Sequence, residues 1–420
     1  MSAKDTLLSA GAAWQAGDLD GAGRLYHQAL VQEPETPGVQ FVVGTFLAQQ
    51  AGMSAHALQL LTQCEAAFGD DARYWSVRGA CYAGTGDFRL ALACHKRSVL
   101  MDPENGIGLR EVGNLCYLLG KPDEGRQWHD EALDAPITGP ETRYALSYIR
   151  LLRGEYARGW NDFEARKYTL NWRGVTRAIR ADLARIPVLP RRLADYRGQR
   201  VLVWGEMGLG DSVMFRRFAD QLADRTGMAV TWYDPRLAGL YATPDHIVPS
   251  AYDYHIPAGS LPMWLGTDGE DALPRPTVPE GGPWAKSRGD RLRVAIQWTG
   301  NVKTSHDADR SCYDEAVRAQ VAAVPVEWVT IEPKDWRTTT DILRTCDLCC
   351  TVDTALFHVA GALGMPVWVI PPTWPELRWR TAGTTTPWYP TATVYRRPDT
   401  SAWGAVADRI ITDLRAYANV

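Results

Sequence analysis

The chain has 420 residues, 45% of them hydrophobic and 22% charged, with a formal net charge of −4. That length allows two or three domains, and the charge balance excludes wholesale disorder and a broad basic nucleic-acid footprint. Eight cysteines are too few for a disulfide scaffold, the N-terminus lacks a basic start with an apolar core behind it, and no apolar run reaches the roughly 18–20 residues of a membrane span. The expectation is a cytoplasmic protein with reduced thiols, no integral membrane segment and no nucleic-acid partner.

Internal repeats come first along the chain. Glycines at 17, 52, 86, 120 and 154 are spaced 35, 34, 34 and 34 residues apart. Five residues beyond each stands a small residue: Ala22, Ala57, Ala91, Gly125 and Gly159. Four further on stands a larger one: Tyr26, Leu61, His95, His129 and Phe163. This is the tetratricopeptide period. The pattern predicts a helix-pair array over residues 1–165. In each unit the glycine ends the first helix in a left-handed conformation. The small residue lets the second helix approach, and the larger one fills the gap to the next unit. Such an array binds a partner or carries a neighbouring domain.

The period breaks at 166–195, where Pro187, Pro190, Arg191 and Arg192 read as a linker. Beyond it, short apolar runs alternate with helix-like stretches. The predicted strands are Arg200–Trp204, Val230–Tyr233, Arg293–Trp298, 327–331, Cys349–Val352 and Pro366–Ile370, with a helix over Ser212–Ala223. Residues 255–290, rich in proline and glycine, read as a crossing. Alternation of this kind implies parallel sheets with crossover helices. The fold class is therefore α plus α/β: an α-solenoid, then two Rossmann-like lobes over 196–285 and 286–420, the second ending in a helix, with a cleft between them.

Three segments carry chemistry. Gly205-Glu206-Met207-Gly208-Leu209-Gly210-Asp211-Ser212 is a glycine-rich turn after a strand. Its order is neither the dinucleotide fingerprint nor a P-loop. Asp211 is placed either to cap the following helix or to face the cleft as a general base. In Asp353-Thr354-Ala355-Leu356-Phe357-His358 a strand runs into a small-residue helix. The free amides of such a helix start make a seat for a diphosphate, unless Asp353 or Thr354 merely caps it. His358 reads as a ligand or as a packed core histidine. Trp298-Thr299-Gly300-Asn301-Val302-Lys303, with Arg310 behind it, offers cations to a phosphate or to solvent. Trp374 and Arg378 lie in a proline-rich loop after a strand, where open α/β sheets bind ligands.

Taken together, GEMGLGDSVMFRRF, YDYHIPAGSLPMWLG, WTGNVK, DRS, CDLCCTVDTALFHVAGALGMPVWVI, LRW and TPWYP resemble the catalytic region of glycosyltransferase family 9 over roughly residues 140–400. The closest resemblance is to members in which tetratricopeptide repeats precede that region. The ADP-heptose:lipopolysaccharide heptosyltransferases are the best-known branch. The resemblance implies a GT-B fold, metal-free inverting transfer, an acceptor lobe and then a nucleotide-sugar lobe. It makes Asp211 the base, with Glu206, Gly208, Gly210 and Ser212 shaping its loop. It sets Asp353, Thr354, Ala355 and His358 at the diphosphate and sugar, with Lys303 and Arg310 as phosphate cations beside Trp298, Gly300 and Asn301. Thr330, Ile331 and Glu332 fall at the nucleoside.

Two features depart from the family. Cys346, Cys349 and Cys350 replace aliphatic residues and read as small hydrophobes of a buried strand rather than metal ligands. Ile331-Glu332-Pro333 replaces the usual Leu-Gln and leaves the base open. Asp307-Ala308-Asp309 mimics the metal-binding pair of other glycosyltransferases but reads as a solvated loop. The sequence thus implies transfer of a sugar from an ADP- or UDP-linked donor, without a cofactor or metal, to a hydroxyl of a protein, peptide or glycan acceptor held by the repeats. A non-catalytic scaffold and a sugar-nucleotide epimerase are the alternatives.

Overall fold

The structure, a computed structural model, describes residues 2–50, 52–169, 172, 176–192, 195–286, 291–300, 307–332 and 335–418. The chain divides into two compact units. One is Met1–Ile149 with Ala165–Arg177 and Asn301–Asp309; the other is Arg150–Glu164, Ala178–Gly300 and Arg310–Val420.

The first unit holds successive helix pairs: Ala3–Gln15 with Leu19–Gln32, Pro37–Ala48 with Ser54–Gln63, Ala72–Thr85 with Phe88–Met101, and Gly106–Leu118 with Pro122–Asp134. The helix Pro140–Leu152 begins a fifth pair, and its partner Tyr156–Phe163 counts with the second unit. All five in-phase glycines stand between paired helices at φ of 72° to 86°. Only a residue without Cβ adopts that conformation at no steric cost, so the 34-residue spacing is a spacing of helix ends.

The small and large residues of the pattern are buried, and the larger ones also pack against the first helix of their own unit. Leu61, His95 and His129 enter a notch in the first helix of their own unit, at Gly44, Gly79 and Gly113, and Leu61 also shares a core with Tyr74 and Trp75 of the next pair. Tyr26 likewise meets Phe46 of the next pair, ring to ring at 4.6 Å. The reason is steric: a glycine in the first helix removes the atom that would hold the imidazole or isobutyl group away.

Gly79→Ala tests this notch. A Cβ at Gly79 would lie 2.6 Å from Cδ2 of His95. Overpacking of that kind costs about 1–3 kcal/mol, against about 1 kcal/mol gained in helix propensity. Net destabilisation is expected in a urea titration. In a His95→Ala background only the propensity gain remains, so the sign should reverse.

The second unit carries two parallel sheets. In the first, β1 (Arg200–Trp204) is flanked by β2 (Ala229–Tyr233) and β3 (Tyr254–Pro257). The second sheet has the order β5-β4-β6-β7-β8, all parallel. Its strands are β4 (Arg293–Gln297), β5 (Glu327–Thr330), β6 (Leu348–Val352), β7 (Val367–Ile370) and β8 (Ala392–Val394). The helix Leu209–Thr226 follows β1, and Ala355–Leu363 follows β6. Val294, Leu348, Cys350 and Trp368 form one core with Ile410 and Leu414 of the C-terminal helix Trp403–Ala418.

β3 corrects the expected crossing at 255–290. Its four residues end in proline and read as loop, yet they pair in register with Val201–Trp204. On their far side the backbones of Pro187 and Leu189 hydrogen-bond to His255, each at 2.8 Å. β8, with three residues, is likewise too short to signal itself. Cys349 and Cys350 are buried in β6, where burial pushes the Cys350 thiol up to about 12 and leaves it inert. No described helix is long and apolar enough to cross a membrane.

Candidate functional site

The site is built where strands end. β1 runs out through Gly205 into the helix Leu209–Thr226, whose N-cap is Gly208. Asp211 is therefore the third residue of that helix rather than its cap, in its positively polarised first turn. β6 runs out through Asp353 into the helix Ala355–Leu363. Thr354 caps this helix by backbone alone; its hydroxyl donates instead to Gln297 Oε1 at 3.2 Å. The first-turn amides are thus left without a side-chain acceptor from Thr354.

The two helices pack closely because Gly210 has no side chain. A Cβ there would lie 2.5 Å from Cδ2 of His358. The loop 371–391 after β7 then brings Arg378 between them. Its Nη1 donates to Asp211 Oδ1 at 3.1 Å and to His358 Nε2 at 3.2 Å. Its Nε donates to Glu376 Oε2 at 2.7 Å, and its Nη2 lies 3.9 Å from Asp353 Oδ2. Asp353 also accepts the Trp379 indole N–H at 3.0 Å. One guanidinium thus serves three carboxylates.

Burial decides how these groups titrate. It raises the Asp211 carboxyl above its ordinary value; Arg378 pulls it back, and Asp353 adds to the rise. Burial raises Glu376 too, again opposed by Arg378. Desolvation works against the charge on Arg378, but Glu376, Asp353 and Asp211 together outweigh it and hold the guanidinium firmly protonated. Burial, with Arg378 and Arg217 beside it, drops His358 well below the usual imidazole value. His358 is therefore neutral. Since Arg378 donates to its Nε2, the hydrogen-bond network assigns the proton to Nδ1, which donates to Tyr389 Oη at 3.0 Å.

Arg217 lies beneath, on the same helix as Asp211. It is fully buried with no carboxylate partner among the described residues, donating to the carbonyls of Met214 at 3.0 Å and Trp388 at 2.8 Å. Its guanidinium also stands 4.8 Å from the Tyr389 ring centroid.

Asp211, Gly208, Gly210, Asp353, His358 and Arg378 thus come together. Glu206 turns inward, accepting the Gly259 amide at 3.2 Å, and the buried Ser212 hydroxyl accepts from Arg236 at 3.3 Å. Ala355 begins its helix, half-buried, and Trp374 is half-buried in the Arg378 loop. Trp298, Gly300 and Arg310 stand at or just beyond the end of β4: Trp298 packs on the core, and Gly300 donates its amide to Ser311 Oγ at 2.8 Å. A Cβ at Gly300 would meet Arg310 Cζ at 2.5 Å. Thr330 and Glu332 are exposed at the end of the sheet-edge strand β5. Asn301, Lys303 and Pro333 lie outside the described residues.

The solvated reading of Asp307 and Asp309 is corrected. Both are buried and engaged by neighbouring groups, in a single turn of helix. Among the described residues no group of three or more His, Cys, Asp or Glu side chains could hold a metal ion. Sequence reading missed Glu376, Trp379 and Tyr389. Their signals were a Glu-x-Arg step for Glu376, the LRW string for Trp379 and TPWYP for Tyr389.

No protein-family profile matches the chain, and no curated protein matches it. Solved structures similar to it include the tetratricopeptide protein TTC0263 from Thermus thermophilus, at 20% identity and TM-score 0.34, over 40% of this chain and 91% of that one. MamA is similar at 14% identity and TM-score 0.29, over 37% of this chain and 91% of that one. A mutant O-GlcNAc transferase from Thermobaculum terrenum is similar at 12% identity and TM-score 0.44, over 99% of this chain and 93% of that one. At TM-scores below 0.5 these are likenesses only.

Proposed function

We propose that the chain is an inverting glycosyltransferase that moves a sugar from a nucleotide-diphosphate sugar to a hydroxyl of a macromolecular acceptor. The observation that carries the proposal is the meeting of Asp211 with Arg378 and the start of the Ala355–Leu363 helix, at strand ends of two parallel sheets. In this reading the acceptor oxygen attacks the anomeric carbon as Asp211 takes its proton. The bond from that carbon to the diphosphate oxygen breaks, and the nucleoside diphosphate leaves with the electron pair. Its charge is met by Arg378 and by the first-turn amides of the helix.

Arg378 gives the reading an order. A donor phosphate competes for the guanidinium that now holds Asp211, so donor binding frees the base. The ADP or UDP base, the family 9 and GT-B assignment and an acceptor held by the repeats belong to the same proposal. So does a cytoplasmic location, where nucleotide sugars are supplied. One observation favours a non-catalytic scaffold instead: three carboxylates crowd the intended phosphate seat.

Purified full-length protein incubated with ADP- and UDP-linked sugars should release nucleoside diphosphate in the presence of acceptor, unaffected by a metal chelator, with inverted product. Absence of both turnover and calorimetric affinity for ADP and UDP would overturn the proposal in favour of the scaffold.

A further inference from the structure

The loop 371–391 that presents Arg378 is long for a connection between adjacent parallel strands, and it is pinned rather than draped. Arg396, just beyond β8, donates to the carbonyls of Arg380 at 3.3 Å, Ala382 at 3.0 Å and Gly383 at 2.7 Å, and to that of Trp379. The Thr386 hydroxyl donates to the Arg378 carbonyl at 2.7 Å. Glu376 receives both the Arg378 backbone amide and its Nε.

Arg380 stands out from this frame. Among the described residues it is the one non-glycine at positive φ, 57°. A residue with a Cβ stays there only where its surroundings hold it. Its guanidinium pairs with Glu270, and Glu270 accepts the Tyr156 hydroxyl at 3.1 Å. Tyr156 opens the helix Tyr156–Phe163, the last of the repeat period. One turn on, Trp160 stacks edge to face on Phe215 at 6.0 Å, and Phe215 lies on the Asp211 helix. One short helix therefore touches both halves of the site. Trp160 meets the helix that carries the carboxylate. Tyr156, through Glu270 and Arg380, reaches the loop that carries the guanidinium.

We propose that Tyr156, Glu270 and Arg380 are positioning residues, a relay by which the last repeat helix sets Arg378 against Asp211. The inference deepens the glycosyltransferase reading and rests on it for its functional meaning. The relay pair is surface-lying: the Arg380 and Glu270 side chains are 44% and 33% exposed. Such a pair adds little to global stability. Its effect is local. Without Glu270, Arg380 loses its side-chain anchor and is held through its backbone alone, by the Glu376 carbonyl at 3.0 Å and by Arg396, so the adjoining Glu376–Arg378 segment opens more readily.

The test is hydrogen exchange on the full chain, with a melting curve and a pyrophosphate titration for each variant. Glu270→Gln and Arg380→Ala should each speed exchange of amides 374–386 about tenfold. Exchange in β6 and in the repeats should stay as it is, and the melting temperature should not move. Tyr156→Phe should give a smaller increase, and Tyr156→Phe with Glu270→Gln no more than Glu270→Gln alone, because the groups act in series. Arg380→Lys should restore slow exchange. Pyrophosphate affinity should fall about tenfold in Glu270→Gln. Unchanged exchange in both Glu270→Gln and Arg380→Ala overturns the relay. If the unaltered protein binds no pyrophosphate while the exchange pattern appears, the relay stands and the glycosyltransferase reading falls.

Discussion

An Asp211→Asn variant is expected to transfer sugar about 10²- to 10⁴-fold more slowly, while its affinity for the nucleoside diphosphate persists. The amide keeps the size of the carboxylate and can still accept from Arg378, so the fold has no reason to change. What it lacks is a site for the proton of the acceptor hydroxyl. The pH profile checks the same assignment. Burial lifts the Asp211 carboxyl above its ordinary 3.8, so the rate of the unaltered enzyme should fall on the acid side at a pH above that value. The base works ionised, so activity is lost as pH falls through the raised value and is full above it. In the Asn variant that limb should vanish. An Asp211→Asn enzyme with full kcat would remove Asp211 from the role, whatever the fate of the other residues.

How far the sequence reaches is clearest at three places. The helix ends of the repeats were legible because one physical demand, a left-handed residue, recurs every 34 positions and admits glycine. The receiving notches at Gly44, Gly79 and Gly113 were not, because a glycine inside a helix has several possible meanings and its partner lies on another helix. The strands β1, β4, β6 and β7 announced themselves as apolar runs buried on both faces. β3 and β8 did not, since three or four residues carry no period.

At the site, Asp211 and Asp353 could be named from turn-and-helix chemistry, which is local. Their gathering around Arg378 could not be seen, because the hydrogen bond from Arg378 to Asp211 joins residues 167 apart in sequence. Glu376 shows the limit from the other side. It stands two residues from Arg378 and covers one edge of the guanidinium, yet an acidic residue in a loop reads as solvated until the fold buries it.

The same crowding makes Arg378→Met the substitution expected to weaken the fold most. The methionine fills the space of the stem, but Asp211, Glu376 and Asp353 are left facing one another without their shared cation. Their side chains are 30%, 18% and 12% exposed, so water relieves them only in part. Removing one partner from a buried ionic cluster costs about 3–5 kcal/mol. The sign of the pH dependence follows from the direction of the shifts. Asp211 and Glu376 already titrate above their ordinary values, and loss of Arg378 pushes both further up. A carboxyl raised in the folded state favours folding while it is protonated and ceases to do so as pH rises through its folded value. The deficit of the variant should therefore be small in acid and grow toward neutral pH. Urea unfolding at pH 5 and pH 8 reads it directly, with Arg378→Lys as the companion variant that returns the charge without the fork. Equal deficits at both pH values would mean that Arg378 acts through packing alone, and that the carboxylates around it do not form one electrostatic unit.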